Sequence, residues 1–156
     1  FQIMGDWAKG EFTAAGKVPG VDYYCAATPS NNGYLYNVDS FIFYKTSDPD
    51  KQEGQKLLAK LMMGKNFQKV FNLYKGSIPA RLDVPMDEFD KCAKTSNADI
   101  KTAGAKGGLV PSFAHGMAQG NTMKAALQDV ITEHFNSDMS SIDAANALAD
   151  SVLDNM

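Results

Sequence analysis

The sequence predicts an α/β protein that is rich in helices and has a few strands. Apolar residues recur at helical spacing over most of the chain, whereas the strand-like runs all lie near its beginning. Residues 1–4 and 21–26 are typical of short strands, and alternating apolar residues over 34–45 predict a long one. A polar segment ahead of the long strand predicts a turn over 30–33.

The middle of the chain predicts two amphipathic helices. The first begins after Asp48, because Pro49 suits the first helical turn, and the second ends at Gly76. Each carries a stripe of apolar residues at helical spacing, which predicts one buried face per helix. The stripes comprise Leu57, Leu58, Leu61 and Met62 in the first helix and Phe67, Val70, Phe71 and Tyr74 in the second.

The remainder of the chain predicts further helices. A short helix is expected over 86–94, followed by a polar loop over 95–108, and a strongly periodic helix is expected over 122–135. Ser140 and Asp143 match a capping box that opens a final helix. The buried face of that final helix is expected to comprise Ala145, Leu148, Ala149, Val152 and Leu153.

Composition argues against several classes of function. Of the 156 residues, 44% are hydrophobic and 21% are charged, as in a globular chain with one ordinary core. The net charge of −3 argues against nucleic acid as a partner, because phosphates require a basic face. No apolar run approaches the ~20 residues that span a bilayer. No spacing of cysteine and histidine suits zinc, so neither a metal nor a cofactor is expected.

Trp7 is the only tryptophan, and it follows the break that Gly5 makes after the first strand-like run. A flat indole face with a hydrogen-bond donor at its edge suits a sugar, whose C–H groups pack on the ring. The alternative is that Trp7 is a large core residue.

Polar residues at three other places are candidates for binding. Asn37 and Asp39 lie two apart on the predicted long strand and would share a face, either to bind sugar hydroxyls or as a solvated strand end. Lys75 could donate to a ligand, although a cation at the C-terminal end of a helix is itself favourable. His115 lies in a loop, where a histidine is usually solvated or supports the loop through a hydrogen bond.

Five separate segments carry a family resemblance. They are 4–12 (MGDWAKGEF), 37–41 (NVDSF), 67–72 (FQKVFN), 75–81 (KGSIPAR) and 107–118 (GGLVPSFAHGMA). In this order they resemble the substrate-binding proteins of bacterial ABC sugar importers, extracellular solute-binding protein family 1, and within it the glucose- and mannose-binding branch. The resemblance spans nearly the whole chain.

The resemblance implies a two-lobed fold of the type II periplasmic-binding-protein class, of which this chain is the C-terminal half. It places residues 1–33 in the second lobe, 34–90 in the first lobe after a crossover, and 91–156 in the second lobe again. A natural half-length homologue is the alternative to a C-terminal portion.

The resemblance also implies a function without catalysis. A periplasmic protein would bind a hexose such as glucose between its lobes and deliver it to the membrane subunits of an ABC importer. The sugar would stack on Trp7 and hydrogen-bond to Asn37, Asp39, Lys75 and His115. The missing N-terminal portion of the same protein would be a further partner of this chain.

The chain has two cysteines, Cys25 and Cys92. Export, as the resemblance implies, favours a disulfide between Cys25 and Cys92, whereas the residues alone leave open two buried, reduced thiols.

A carbohydrate-active enzyme is one alternative function, but the chain has no G-x-S-x-G elbow, and Asp39 is the one prominent acid where a glycosidase needs two. A fragment that complements the missing half is the other alternative.

Overall fold

The computed structural model describes residues 1–29 and 33–156. The predicted turn over 30–33 therefore lies outside the described residues, apart from Gly33. The elements in chain order are α1 (Ala8–Ala14), β1 (Tyr34–Tyr36), α2 (Pro49–Met62), α3 (Lys65–Lys75), α4 (Lys91–Ala105), β2 (Leu109–Pro111), α5 (Asn121–Asn136) and α6 (Ser141–Asp154). Helices dominate and the two strands pair in parallel, which confirms the helix-rich α/β class.

The chain forms two compact units. The first comprises Phe1–Tyr34 and Val38–Gly108, and the second comprises Leu35–Asn37 and Leu109–Met156. In the first unit, α3 contacts both α1 and α2, and in the second unit α5 and α6 pack against each other. Within the described ranges, no helix is both long and apolar enough to cross a lipid bilayer.

The two short strands predicted at the beginning of the chain are wrong. Residues 1–4 form no strand, and the region of 21–26 contributes only an isolated bridge between Pro19 and Tyr23. Apolar residues favour a strand only where a neighbouring strand can accept their backbone hydrogen bonds, and none lies beside either segment in the described structure. The helix α1 is not predicted from the sequence, which indicates only a break at Gly5 after the first strand-like run.

The long strand predicted over 34–45 is also wrong beyond its first three residues. β1 ends at Tyr36, whose carbonyl accepts a hydrogen bond from the N–H of Ser112 at 2.8 Å. β2 is the partner of β1 and ends at Pro111, which has no N–H to donate. The segment 38–45 therefore continues without a neighbouring strand in the part of the chain that the structure describes.

Four of the predicted helices are confirmed, together with the signals that begin or end them. The carboxylate of Asp48 accepts from the N–H of Asp50 at 3.0 Å and so caps α2. Gly76 ends α3 with a φ of 88°, a left-handed conformation that glycine adopts without strain. The hydroxyl of Ser140 accepts from the N–H of Asp143 at 3.1 Å and opens α6, and α5 spans the strongly periodic segment.

The helix α4 differs from the prediction of a short helix over 86–94 and a loop over 95–108. It begins one turn later, because Asp90 accepts from the N–H of Ala93 at 2.8 Å and acts as the N-cap. It continues to Ala105, since residues 91–103 contain neither glycine nor proline and include several alanines. The polar composition of this segment marks an exposed helix and not a loop.

The predicted buried faces of the helices are largely exposed. In α2, Met62 is buried, but Leu57 and Leu61 are 60% and 61% exposed. The same is true of several other residues in these stripes, namely Leu58, Val70, Phe71, Tyr74, Ala145, Ala149 and Leu153. These side chains stay exposed although α2 contacts α3, α5 contacts α6 and Phe41 contacts Phe71, so the amphipathic pattern is present without the full packing that it predicts.

The hydrophobic core lies in the first unit, around the start of α4. Val84, Phe89 and Ala93 are buried there. Leu73, Ile78 and Met86 pack against them. The disulfide predicted between Cys25 and Cys92 is confirmed and joins the first turn of α4 to a segment 67 residues earlier, with 5.7 Å between the two Cα atoms.

Replacing both cysteines by serine is expected to lower the free energy of unfolding by about 4 kcal/mol, because the unfolded chain then loses the constraint of a 67-residue loop. Urea unfolding followed by far-UV circular dichroism measures the change. The wild type in reductant should unfold like the double variant. Equal midpoints for the oxidised wild type and the double variant would contradict the expectation.

Candidate functional site

Two glycines bring α1 directly against the C-terminal end of α3. A Cβ atom on Gly10 would lie 2.6 Å from the carbonyl oxygen of Lys75, and a Cβ on Gly76 would overlap the backbone nitrogen of Gly10. Only glycine at both positions allows the two backbones to approach so closely. Since α1 begins directly after Trp7, this contact holds the start of α1 and the end of α3 in one junction.

Trp7 is the N-cap residue of α1 and is partly buried. Its six-membered ring lies against the backbone of Gly5, where any Cβ would overlap the ring. The glycine that the sequence marks as a strand break therefore makes room for the indole. Trp7 belongs neither to a strand end nor to the hydrophobic core of this unit.

The residues on either side of Trp7 make polar contacts to the rest of the first unit. Lys9 is only 5% exposed, and its ammonium donates to both carboxylate oxygens of Asp90, at 3.1 and 2.9 Å. Asp6 accepts a hydrogen bond from the backbone N–H of Ile78 at 2.9 Å. Both ends of the short segment that carries Trp7 are thus tied to other elements.

The two carboxylates differ in how their surroundings change their acidity. Burial raises the pKa of Asp6 above its ordinary value, and the opposing effects of the Ile78 N–H and of Lys9 are smaller. Burial acts in the same direction on Asp90, but the hydrogen bond from Lys9 and the N–H of Ala93 outweigh it, so the pKa of Asp90 is lowered. Asp90 is therefore held in its charged form beside Lys9.

Lys75 and Asp39 form an ion pair at the end of α3. The ammonium of Lys75 also lies 5.9 Å from the centre of the Phe71 ring, within the range of a cation–π contact. The ring of Phe71 stacks on Phe67 at 5.4 Å and meets the edge of Phe41 at 6.3 Å. Two of the predicted site residues are thus brought together beside an aromatic cluster.

In the second unit, a buried serine links the loop of His115 to the end of β1. The hydroxyl of Ser112 and Nδ1 of His115 are hydrogen-bonded at 2.7 Å, and the N–H of Ser112 donates to the carbonyl of Tyr36 at 2.8 Å. Ser112 is 4% exposed. His115 itself is exposed, and Asn37, which directly follows Tyr36, is partly buried.

The five predicted site residues therefore fall into two groups. Trp7, Asp39 and Lys75 belong to the first unit, and Asn37 and His115 belong to the second. The prediction that Asn37 and Asp39 share the face of a strand is wrong, because β1 ends before both of them. That all five residues line one cleft stays a prediction.

Sequence reasoning misses the contacts that hold this region in place. Lys9 and Asp90 are 81 residues apart, and neither has a neighbour in sequence that would single it out. Asp6 is adjacent to Trp7, but its partner is a backbone N–H, which no side-chain pattern can indicate. In residues 1–29 and 33–156, no group of three or more histidine, cysteine, aspartate or glutamate side chains could hold a metal ion.

No protein-family model matches the chain. It is similar, however, to probable sugar-binding periplasmic proteins of Brucella suis, at 46% identity, and of Rhizobium meliloti, at 43%. Each match extends over 152 residues and covers 97% of this chain and 36% of the relative. An uncharacterized ABC transporter extracellular-binding protein of Pyrococcus horikoshii is 36% identical over 132 residues, which are 84% of this chain and 29% of the relative.

These matches confirm the resemblance seen in the sequence, because the chain is similar to sugar-binding periplasmic proteins and to an extracellular-binding protein of an ABC transporter. It spans about a third of the length of the curated relatives it matches and corresponds to a C-terminal portion of them. Four of these relatives are named as periplasmic proteins, which confirms the predicted location.

The contact between Gly10 and Lys75 can be tested with a matched pair of variants. Gly10→Ala is expected to lower the free energy of unfolding by about 1–3 kcal/mol, because the added methyl group forces α1 away from the Lys75 carbonyl. Gly54→Ala, also inside a helix but with nothing within 4 Å of the added Cβ, is expected to raise it by about 0.5–1 kcal/mol. Urea midpoints measure both changes, and shifts of the same sign would disprove the contact.

The Asp90 carboxylate is expected to stabilise the protein in a pH-dependent way. Because its pKa is lower in the folded chain than in the unfolded chain, its contribution is present above the unfolded value and is lost as the pH falls through the folded value. The difference in unfolding free energy between the wild type and Asp90→Asn should therefore shrink as the pH falls from about 5 to well below the ordinary aspartate value of about 3.9. Urea unfolding across this range measures it, with Asp150→Asn on α6 as the control. A difference that stays constant with pH would be inconsistent with the ion pair.

Proposed function

We propose that this chain is part of a periplasmic protein that binds a hexose such as glucose and delivers it to the membrane subunits of an ABC importer. The protein binds its sugar without converting it. The junction of α1 with the end of α3 carries the proposal, because it joins the helix of Trp7 to Lys75 and its partner Asp39 within one unit. The names of the relatives, which are binding proteins, support the same class of function.

In the proposed site, each of these side chains has a distinct role. The indole of Trp7 stacks on the C–H face of the sugar. The Asp39 carboxylate accepts a hydrogen bond from a hydroxyl group, and the Lys75 ammonium donates one to a sugar oxygen, so both hydrogen bonds are charge-assisted. Because Asp39 and Lys75 already pair with each other, their positions are set before the sugar arrives.

Asn37 and His115 supply the uncharged hydrogen bonds of the proposed site. The hydrogen bond between the Ser112 hydroxyl and Nδ1 of His115 orients the imidazole ring, which would hydrogen-bond a sugar hydroxyl group. Asn37 offers both an amide donor and a carbonyl acceptor at the end of β1. A sugar epimer that leaves one of these groups unpaired in a closed site loses about 1–3 kcal/mol, which accounts for selectivity.

The proposed cleft lies between the two lobes of a type II periplasmic-binding-protein fold. Residues 1–33 and 91–156 are assigned to the second lobe, and 34–90 to the first. The relatives are about three times as long as their match to this chain, which supports the assignment of the facing part of the cleft to the remaining portion. This chain by itself would then bind sugar weakly or not at all.

The exposed apolar faces of α2 and α3 favour association of this chain with that remaining portion. A groove of about 530 Å³ is lined by residues that include Leu57, Leu61 and Val70. A second groove, of about 520 Å³, extends past Phe71 and Tyr74 to Lys75. Surfaces of this kind in a periplasmic protein are normally covered, since burial of apolar area is the main favourable term in folding.

Calorimetric titration with glucose tests the proposal on two samples, the 156-residue chain alone and the chain together with its N-terminal portion. Tight binding is expected only for the second sample, which should also co-elute as one species. In that sample, Asp39→Asn and His115→Ala are each expected to weaken binding about tenfold to a hundredfold, because a hydrogen bond to a charged or buried partner is lost. Lys51→Met, which removes an exposed ion pair, is the control.

Two results would refute the proposed function. One is tight glucose binding by the 156-residue chain alone. The other is a complete protein whose affinity for every hexose is unchanged in Asp39→Asn and His115→Ala. Turnover of a glycoside by the wild type would instead support an enzyme.

A further inference from the structure

The helix that carries Trp7 is too short to hold its own orientation. α1 has seven residues, whereas isolated helices need roughly 12–15 to be even marginally stable in water. Its position must therefore come from contacts with other elements. The close approaches of Gly10 to Lys75 and of Gly76 to Gly10 fix the distance between α1 and α3, and Phe12 further along the helix contacts Tyr23, whereas the first turn beside Trp7 needs a contact of its own.

A partly buried ion pair supplies the second constraint. Lys9 lies two residues after Trp7, and both carboxylate oxygens of Asp90 accept hydrogen bonds from its ammonium. Asp90 is itself rigidly held, because it caps α4 and lies between Phe89 and Ala93, which are 4% and 1% exposed. The pair thus joins the first turn of α1 to the hydrophobic core of the unit.

Burying an ammonium group is an inefficient way to stabilise a fold. Removing a charge such as the Lys9 ammonium from water is costly, and ion pairs that include a buried charge are often no more stabilising than the apolar residues that could replace them. An apolar residue at position 9 could pack without that cost, but it could not fix the orientation of α1, because apolar contacts are not directional. What the pair adds is a defined geometry with two hydrogen bonds.

We propose that Lys9 and Asp90 are positioning residues that hold the indole of Trp7 in a fixed orientation for its ligand. Asp6, through the N–H of Ile78, fixes the residue on the other side of Trp7. The indole is thereby immobilised before the ligand binds, and the ligand does not have to order it. The purpose assigned to this orientation rests on the proposed sugar site, but the immobilisation itself is a property of the first unit alone.

The experiment uses the fluorescence of Trp7, which reports on this position only because the chain has no other tryptophan. Acrylamide quenching and steady-state anisotropy are measured on the 156-residue wild type and on Lys9→Met, Lys9→Arg and Asp90→Asn. Lys69→Met is the matched control, because Lys69 forms an ion pair with Glu88 at 2.7 Å in the same unit, but at an exposed position. Far-UV circular dichroism of each variant reports its helix content.

Lys9→Met and Asp90→Asn are expected to raise the quenching constant and lower the anisotropy of Trp7 while helix content stays that of the wild type. Lys9→Arg should restore both values towards those of the wild type, since it keeps the charge and the paired donors. Lys69→Met should change neither. If Lys9→Met loses its helices, the test of the proposal rests on Asp90→Asn. Asparagine still has a side-chain oxygen that can accept from the N–H of Ala93, so the N-cap of α4 is kept in that variant.

Unchanged quenching and anisotropy in Lys9→Met or Asp90→Asn would overturn the proposal. So would a change in Trp7 that only follows a loss of helix content in both variants, because the pair would then be a general stabiliser. Glucose titration of the chain with its N-terminal portion separates the two proposals: Lys9→Met should weaken binding about tenfold, the scale of one lost aromatic contact. If the wild type binds no hexose but Lys9→Met still raises the quenching and lowers the anisotropy of Trp7, the proposed sugar site is refuted and the proposed role of Lys9 and Asp90 is supported.

Discussion

The ion pair between Lys9 and Asp90 is the constraint that fixes how the beginning of the chain meets α4 in the first unit. It joins a seven-residue helix at the beginning of the chain to the N-cap of α4, more than eighty residues later. The disulfide at Cys92, the glycine contact with α3 and the small apolar core all lie on elements that this pair connects. A charged pair can have this role only because its surroundings exclude water from Lys9, whose side chain is 7% exposed. An exposed pair of the same residues would contribute little.

The unit combines specific polar contacts with apolar faces that remain largely exposed. Asp39 pairs with Lys75, and Arg81 binds Asp83 through two hydrogen bonds, so that the Arg81 guanidinium holds the pKa of Asp83 well below its ordinary value. Meanwhile the leucines of α2 and the aromatic residues of α3 remain exposed. This contrast fits a chain that spans about a third of its relatives, because local polar contacts form within a segment, whereas an apolar core needs all the segments that surround it.

The sequence predicts well whatever is decided by neighbouring residues. The caps at Asp48 and Ser140 and the stop at Gly76 depend on a few residues each, and all three are confirmed. The strand expected over 38–45 fails because a strand requires a partner that composition cannot supply. The family resemblance implies that Trp7, Asp39 and Lys75 are site residues, but it gives no sign of the contact between Lys9 and Asp90, which are distant in sequence and carry no local signal. Long-range pairing is what a single sequence does not reveal.

The segment 38–45 has a practical consequence for work with this chain. Phe41, Ile42 and Tyr44 are 60%, 78% and 82% exposed, and they lie in a run with strand-forming composition and no neighbouring strand among the described residues. Such a run can pair edge to edge with a copy of itself, which is the usual beginning of β-rich aggregation. Concentrated samples of the 156-residue chain are therefore prone to precipitate. A charged substitution at Ile42 would act as a gatekeeper against this self-association.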